Sequence, residues 1–194
     1  MTEVRDIAFS PSVTALQTRM GSRHAYAATP DWQTTIPEAL AGFIAAQTSV
    51  FLATANAAGQ PYVQHRGGPA GFLQVLDPKT IAFADYAGTR QYITWGNLMD
   101  NPKAHLFLID YTTRQRVKLW GRAEMVEDAT LTARLMPEGY RARPERALIF
   151  HLDAWEANCP QHIPLRTDAA ATARLLATKD ARIAELEAAL AKQR

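Results

Sequence analysis

Two segments combine arginine with glycine in a way that suits an anionic ligand. The first, His65-Arg66-Gly67-Gly68, falls where one predicted strand ends and before the next begins. Glycine lets the backbone approach a ligand closely, and the arginine fork matches phosphate oxygens in shape and charge. The segment is therefore a candidate phosphate site. Its alternative interpretation is a tight or bulged corner between two strands, with Arg66 in solvent.

The second segment, residues 85–91 (DYAGTRQ), runs from a predicted strand end into a predicted helix start. Free N–H groups at a helix N-terminus, the Thr89 hydroxyl and the Arg90 guanidinium would together form an anion-binding cradle. The alternative is an ordinary helix capped by Thr89, with Arg90 on the surface.

Several common sequence motifs of enzymes are missing from the chain. It has no G-x-x-x-x-G-K-[ST], no G-x-G-x-x-G, no H-E-x-x-H, no C-x-x-C and no G-x-S-x-G. These absences disfavour a P-loop enzyme, a Rossmann dehydrogenase and a common zinc site. The histidines, at positions 24, 65, 105, 151 and 162, include no pair four residues apart. We therefore predict no metal site.

Composition narrows the class of protein further. The chain has 194 residues, 47% of them hydrophobic, which suits one globular domain. Its 21 Lys and Arg against 19 Asp and Glu give a net charge of +2, which disfavours nucleic-acid binding. One cysteine excludes an internal disulfide, and no signal peptide is evident, so we expect a cytoplasmic protein. No apolar stretch approaches the roughly 18 residues that a membrane span needs.

Six short strands separated by turn residues favour a β-barrel. A further strand, residues 147–156, is expected to close it. The predicted fold class is mainly β with flanking helices: a six-stranded split β-barrel with a long C-terminal helix. The six predicted strands are residues 50–55, 61–65, 71–76, 80–85, 105–110 and 117–126.

The helical segments lie around this barrel. Residues 1–36 are predicted to be an N-terminal arm, residues 37–166 the barrel domain with helices at 37–47, 89–99 and 128–136, and residues 167–194 a helix. The last helix begins at Thr167 or Asp168 as its N-cap. Its weak apolar stripe, Leu176, Ile183, Leu186 and Leu190, fits packing on a partner subunit or on its own barrel.

An ordered series of short motifs resembles the pyridoxamine 5'-phosphate oxidase-like flavoproteins, in particular their flavin-nucleotide-binding subgroup. The resemblance covers roughly residues 37–165. The motifs are Phe51-Leu52-Ala53-Thr54, Gly59-Gln60-Pro61, Arg66-Gly67-Gly68 with Gly71-Phe72, Phe83-Ala84-Asp85, Gly88-Thr89-Arg90-Gln91, Asn97-Leu98, Asn101-Pro102 and Gly121-Arg122-Ala123.

The resemblance implies a split barrel that binds FMN at a homodimer interface. Arg66 and residues 89–91 match the positions that hold the FMN phosphate, although Gln91 stands where many members have lysine. Arg116 stands where the oxidase has glutamine near the flavin, and its charge would favour an anionic reduced ring. The implied cofactor-binding residues are His65, Arg66, Gly67, Gly68, Ala84, Asp85, Thr89, Arg90, Gln91, Asn97, Arg116, Lys118, Gln161 and His162.

Some of these assignments have structural alternatives. Asn97 could instead satisfy the backbone near a helix end. Arg116 and Lys118 could form the solvated face of a strand, and Gln161 and His162 could pack within a loop. Cys159 is either a buried structural thiol, the favoured interpretation, or a redox nucleophile. After residue 165 the chain lacks the Arg-x-His stretch by which the oxidases bind substrate phosphate, so the resemblance does not extend to the vitamin B6 site.

The leading functional hypothesis is an FMN-dependent oxidoreductase that takes electrons from a donor such as NAD(P)H and acts on a small molecule. One alternative is a protein that carries the flavin nucleotide without turnover. Another is a split barrel that uses a deazaflavin, or a haem with His65 or His162 as its axial ligand.

Overall fold

A computed structural model describes residues 3–158 and 160–192 of the chain. It divides into two compact units, one of Met1–Ile109 with Arg116–Asn158 and one of Asp110–Gln115 with Cys159–Arg194. Cys159 lies outside the described residues, so its role stays a prediction, as do the domain boundaries at residues 36 and 166.

Seven antiparallel strands form one sheet with the order β2-β1-β5-β6-β7-β4-β3. The two edge strands are β2, which pairs with β1, and the short β3, which pairs with β4. The strands are β1 Ser49–Ala55, β2 Pro61–Gly67, β3 Gln74–Asp77, β4 Thr80–Tyr86, β5 Lys103–Asp110, β6 Gln115–Val126 and β7 Pro144–Asn158.

The prediction of a six-stranded, closed barrel is wrong in both respects. The sheet has seven strands because the further strand predicted at residues 147–156 is present as β7, 15 residues long, and pairs with β6 along one side and with β4 along the other. Among the described residues no backbone ladder joins the edge strands β2 and β3, so the sheet stays open. The mainly β class and the long C-terminal helix are confirmed.

Alternating side chains place the hydrophobic core on one face of β1 and β5. Val50, Leu52 and Leu106 are buried there, whereas Phe51 on the opposite face of β1 is 37% exposed. The strand β4 is buried at five consecutive positions, Ile81 to Asp85, because β3 and β7 flank it and side chains pack on both faces. A charged residue at the end of such a strand must find buried partners.

Six α-helices accompany the sheet in the described residues. The predicted N-cap of the last one, Asp168, accepts a hydrogen bond from the Ala170 N–H, as expected. The helix predicted over 89–99 begins only at Ile93, because Arg90 and Tyr92 have left-handed backbone angles, with φ of 58° and 55°. The helices are α1 Pro11–Arg19, α2 Arg23–Ala28, α3 Glu38–Ala46, α4 Ile93–Asp100, α5 Ala129–Arg134 and α6 Ala169–Ala191.

The N-terminal arm packs on the outer face of β6. The Trp32 ring stacks on Trp120, with ring centroids 4.4 Å apart, and Phe9 meets Trp32 edge-on at 5.6 Å. The Trp155 indole N–H donates to the Thr35 carbonyl oxygen at 2.8 Å. These contacts attach the arm to the sheet.

The helix α6 exposes its predicted stripe, with Leu176 58% and Ile183 53% exposed. Whether a partner subunit covers this stripe stays a prediction. None of the described helices combines the length and apolar character that a membrane span needs.

Gly121 lies at the bulge where β6 meets β7, and its substitution tests this register. A Cβ at this position would lie 2.1 Å from the His151 carbonyl oxygen and 2.7 Å from the Phe150 ring. Gly121→Ala should therefore lower the free energy of unfolding by about 3 kcal/mol, measured by urea denaturation. Gly42→Ala, in the open space of α3, should instead raise it by about 0.5 to 1 kcal/mol. A loss at Gly121 no larger than a few tenths would contradict the close approach.

His105 on β5 makes folding stability depend on pH. Its ring lies edge-on to Trp120 at 4.8 Å, and burial, with a smaller contribution from the Lys118 charge, lowers the pKa of His105 to about 4. The unfolded chain binds this proton near pH 6.5, so stability should decrease as pH falls from about 6.5 to 4. The decrease should be about 1 to 2 kcal/mol, after allowance for the screening of a half-buried ring.

Urea denaturation at several pH values across this window measures the effect. His105→Gln should flatten the pH dependence, whereas His24→Gln, at an exposed position, should keep it. An unchanged slope in His105→Gln would refute the assignment.

Candidate functional site

A buried cluster of arginines and carboxylates lies where β2 and β4 end and β7 begins. Asp85, at the end of β4, contacts the Arg66 guanidinium at 3.1 Å through Oδ1 and the Arg146 guanidinium at 3.2 Å through Oδ2. The side chains of Asp85 and Arg146 are 7% and 9% exposed. One carboxylate therefore joins two guanidiniums in a largely water-excluded place.

Strand pairing and sheet curvature explain how these residues meet. Asp85 faces Arg146 directly in the antiparallel register of β4 and β7, beside a bulge between Asp85 and Tyr86. Arg66 lies on the edge strand β2, at the far end of the strand order from β4. Its contact with Asp85 therefore requires the open sheet to curl until its two ends approach each other.

A second carboxylate, Glu145, extends the cluster toward solvent. Its oxygens lie 3.1 Å from Arg146, 3.1 Å from Arg143 and 3.5 Å from Arg90. Four guanidiniums thus surround two carboxylates, which leaves the cluster with an excess of two positive charges. Such an excess favours a doubly charged anion.

The helix α4 and the loop before it form one wall of the cleft beside this cluster. The Thr94 hydroxyl accepts from Arg66 Nη2 at 3.4 Å and donates to Gln64 Oε1 at 3.1 Å. The Trp95 ring covers the flat face of the Arg146 guanidinium, 4.3 Å away. These contacts hold both arginines in place. The left-handed residues Arg90 and Tyr92 also line the cleft, and such strained backbone concentrates at ligand-binding sites.

Several buried polar atoms of the cluster have no hydrogen-bond partner. They include Nε of Arg66, Nε of Arg146 and the Tyr86 hydroxyl, while Asp85 Oδ1 has an ion pair but no well-oriented hydrogen bond. A buried donor without a partner is costly and rare in folded proteins. These atoms are therefore available to a polar ligand.

Burial dominates the ionisation of Asp85. It raises the pKa of the Asp85 carboxyl above its usual range, although the charges of Arg66 and Arg146 act in the opposite direction. Burial also raises the pKa of the neighbouring Tyr86 phenol.

A second, more apolar cavity adjoins the charged cleft. Arg66 and Tyr86 line both spaces, so the two adjoin at these residues. The remaining lining residues of the second cavity are His65, Gly67, Phe72, Phe83 and Ala84. A ligand with a charged group and a flat apolar part could occupy both.

The structure brings only part of the predicted set together. The charged cleft contains Arg66, Asp85, Thr89, Arg90 and Gln91, and the second cavity contains His65, Gly67 and Ala84. Thr89 does not sit at a helix N-terminus as predicted, because α4 begins four residues later. Thr89 instead lies in the loop before α4, in which Arg90 and Tyr92 have left-handed backbone angles.

The other predicted residues lie away from both linings or in the second unit. The Gly68 N–H donates to the Thr48 carbonyl oxygen, and Asn97 donates from Nδ2 to Thr54 at 3.0 Å in a buried bond. Arg116 and Lys118 lie on β6, and Lys118 forms an ion pair with Glu156 at 3.6 Å. Gln161 and His162 belong to the second unit. The assignment of all these residues to a ligand stays a prediction.

Sequence reasoning missed Arg146 and Glu145, which hold the centre of the cluster. One sequence signal could have indicated Arg146. It directly precedes the apolar run 147–150, so it lies near the start of a strand segment that is buried on both faces. No group of three or more potential metal ligands occurs among the residues that the structure describes.

The fold and the site define a protein with a curled antiparallel sheet and an arginine-lined cleft. Residues 36–159, more than half of the chain, match the family model described as pyridoxamine 5'-phosphate oxidase. The chain belongs to this family. None of the proteins of curated function matches it significantly.

One solved structure shares the fold of this chain, and a second is similar at a lower score. HupZ of Group A Streptococcus is 21% identical, with a TM-score of 0.51 over 68% of this chain and 99% of that chain. An FMN-binding protein from Syntrophomonas wolfei is 14% identical, with a TM-score of 0.46 over 76% of this chain and 95% of that chain.

Removing Arg146 tests the energetics of the cluster. Arg146→Met should leave Asp85 with one ion pair in a buried place and lower the free energy of unfolding by about 3 kcal/mol. Arg143→Met removes a 66% exposed partner of Glu145 and should change stability by less than about 0.5 kcal/mol. Urea denaturation of the two variants measures both, and equal losses would show that the cluster is not buried as described.

Proposed function

We propose that the chain binds FMN in the two adjoining cavities and acts as an FMN-dependent oxidoreductase. The observation that carries the proposal is that the charged cleft and the apolar cavity adjoin and share Arg66 and Tyr86 in their linings. FMN has a phosphate at one end and a flat ring system at the other. Membership of the pyridoxamine 5'-phosphate oxidase family supports the same ligand.

The charged cleft is the proposed phosphate site. Arg66, Arg90 and Thr89 supply donors, and the excess of two positive charges matches a phosphate monoester. Gln91 lacks the charge of the lysine at this position in many members of the family, and Arg146, with its unpartnered Nε, supplies a further cation. The residues present therefore fit the group.

The apolar cavity is the proposed place for part of the flavin ring. The ring supplies hydride or electron transfer when it is bound, and the protein holds the phosphate and excludes water from the ring. Phe72 and Phe83 form the buried end of this cavity. A Cβ at Gly67 would lie 2.8 Å from His65 Cε1, so a larger residue at this position of the lining would displace His65.

We propose that the functional unit is a homodimer. Phe51 is 37% exposed and Val63 60% exposed on adjacent strands, an apolar surface that a second copy would cover. Arg116, Lys118, Gln161 and His162 would then serve a flavin held mainly by the other subunit. An external donor such as NAD(P)H would deliver the electrons.

A flavin carrier without turnover is the second candidate. The observation in its favour is that both carboxylates of the cleft are tied to arginines, which leaves neither free as a general acid or base. Anaerobic mixing of the FMN-loaded protein with NADPH separates the two candidates. Bleaching of the flavin band followed by reoxidation in air, over repeated cycles, supports the oxidoreductase, and an unreduced flavin supports the carrier.

The Arg90→Ala variant tests the phosphate site. Loss of one charge-assisted hydrogen bond should weaken FMN binding by about 1.5 to 3 kcal/mol, measured by fluorescence quenching or calorimetry. Riboflavin, which has no phosphate, should bind both proteins equally. Arg122→Ala, at a 61% exposed position paired with Asp153, should leave FMN affinity unchanged. A wild-type protein that carries no flavin and binds none would refute the proposed function itself.

A further inference from the structure

Asp85 is an unexpected residue for the floor of an anion-binding cleft. Its carboxylate contacts Arg66 and Arg146 at 3.1 and 3.2 Å, so it occupies donors that an anion would need. While it is ionised, it also repels a second negative charge in the same space. Neutralisation of this carboxylate would remove the repulsion and strengthen the attraction of the cleft for a phosphate.

Resting on the proposed function, we propose that Asp85 takes up one proton from solvent when a phosphate dianion fills the cleft, so that ligand binding and protonation of this carboxyl are coupled. The proton adds to a carboxylate oxygen of Asp85 and forms an O–H bond, with no change in oxidation state. The Asp85 side chain becomes neutral, and the Arg66 and Arg146 guanidiniums are released to balance the ligand.

The surroundings of Asp85 have opposing influences on its ionisation. Burial disfavours its charged form and two arginines favour it, with burial the stronger influence on its pKa. Two additional negative charges in the cleft would cancel the arginines' effect and leave burial unopposed. The titratable and charged groups that line the cleft with this carboxyl are Tyr62 and Arg66 from β2, Tyr86 from β4, Arg90 and Tyr92 from the loop before α4, and Glu145 and Arg146 from β7.

Asp85 rather than Glu145 should carry the proton. Glu145 has three guanidinium partners and is 16% exposed, whereas Asp85 has two and is 7% exposed. More cations and more water both favour an ionised carboxylate. Asp85 Oδ1 has no well-oriented hydrogen bond, so a proton there would displace none. The protonated group would present a donor where there was only an acceptor.

Calorimetry measures the coupling directly. Wild-type protein is titrated with FMN in buffers of different ionisation enthalpy at several values between about pH 6 and 8, which counts protons taken up on binding. The phosphate of FMN contributes some protons of its own near pH 6. We expect the wild type to exceed Asp85→Asn by about one proton at some pH in this range. Glu145→Gln, in which Asp85 is intact, should still take up this additional proton at some pH.

Affinity provides a second readout that a merely structural role would not produce. The wild type should bind FMN more weakly as pH rises, by up to about tenfold per pH unit relative to Asp85→Asn. Asp85→Asn mimics the neutral form, so at the upper end of the range it should bind FMN at least as tightly as the wild type. Weaker binding by Asp85→Asn at every pH would overturn the proposal.

A measurement on the wild type alone covers the case in which Asp85→Asn does not fold. Inorganic sulfate is a dianion that does not titrate in this range, so any proton that disappears from an unbuffered solution when sulfate is added has been bound by the protein. Binding of FMN and sulfate without proton uptake would overturn the coupling and leave the proposed function intact. Absence of FMN binding would overturn both.

Discussion

The contact of Asp85 with both Arg66 and Arg146 is the interaction on which the arrangement of the site depends. Arg66 belongs to an edge strand, and Asp85 belongs to the strand next to the opposite edge. No backbone ladder among the described residues joins these two ends of the sheet, so side chains make the connection that backbone hydrogen bonds would make in a closed barrel. The cleft exists because this connection leaves space beside α4.

An ion cluster of this kind is a poor device for stability alone. Desolvating buried charges costs about as much as their attraction returns, and well-packed apolar residues of similar size often serve as well or better. The apolar core of the sheet lies close by and includes Phe83, two residues before Asp85. Unpartnered Nε atoms and left-handed backbone at Arg90 and Tyr92 add further cost in the same small region. These unfavourable contributions lie in one small region, where interactions with a bound ligand would offset them.

The strands and the arginine-bearing segments could be predicted from local sequence. The order in which the strands pair, and the fact that the sheet stays open, could not. Buried and less buried side chains alternate along β1 and β5, and Asp168 is the N-cap residue at which α6 begins. The number of strands that join is a property of pairing partners far apart in the chain, and the 15-residue β7 satisfies both β6 and β4. Local patterns contain no such information.

Local sequence context also determines which residues of the site could be predicted. Arg66, Thr89 and Arg90 stand in short segments with glycine, so their spacing alone suggests an anion. Arg146 has no such neighbours, and its importance arises from its register opposite Asp85. A family resemblance transfers residues that lie in shared motifs. The resemblance includes Asp85 among the implied cofactor-binding residues but assigns it no contact, and the structure shows that its carboxylate joins Arg66 to Arg146 and so determines how these arginines are held.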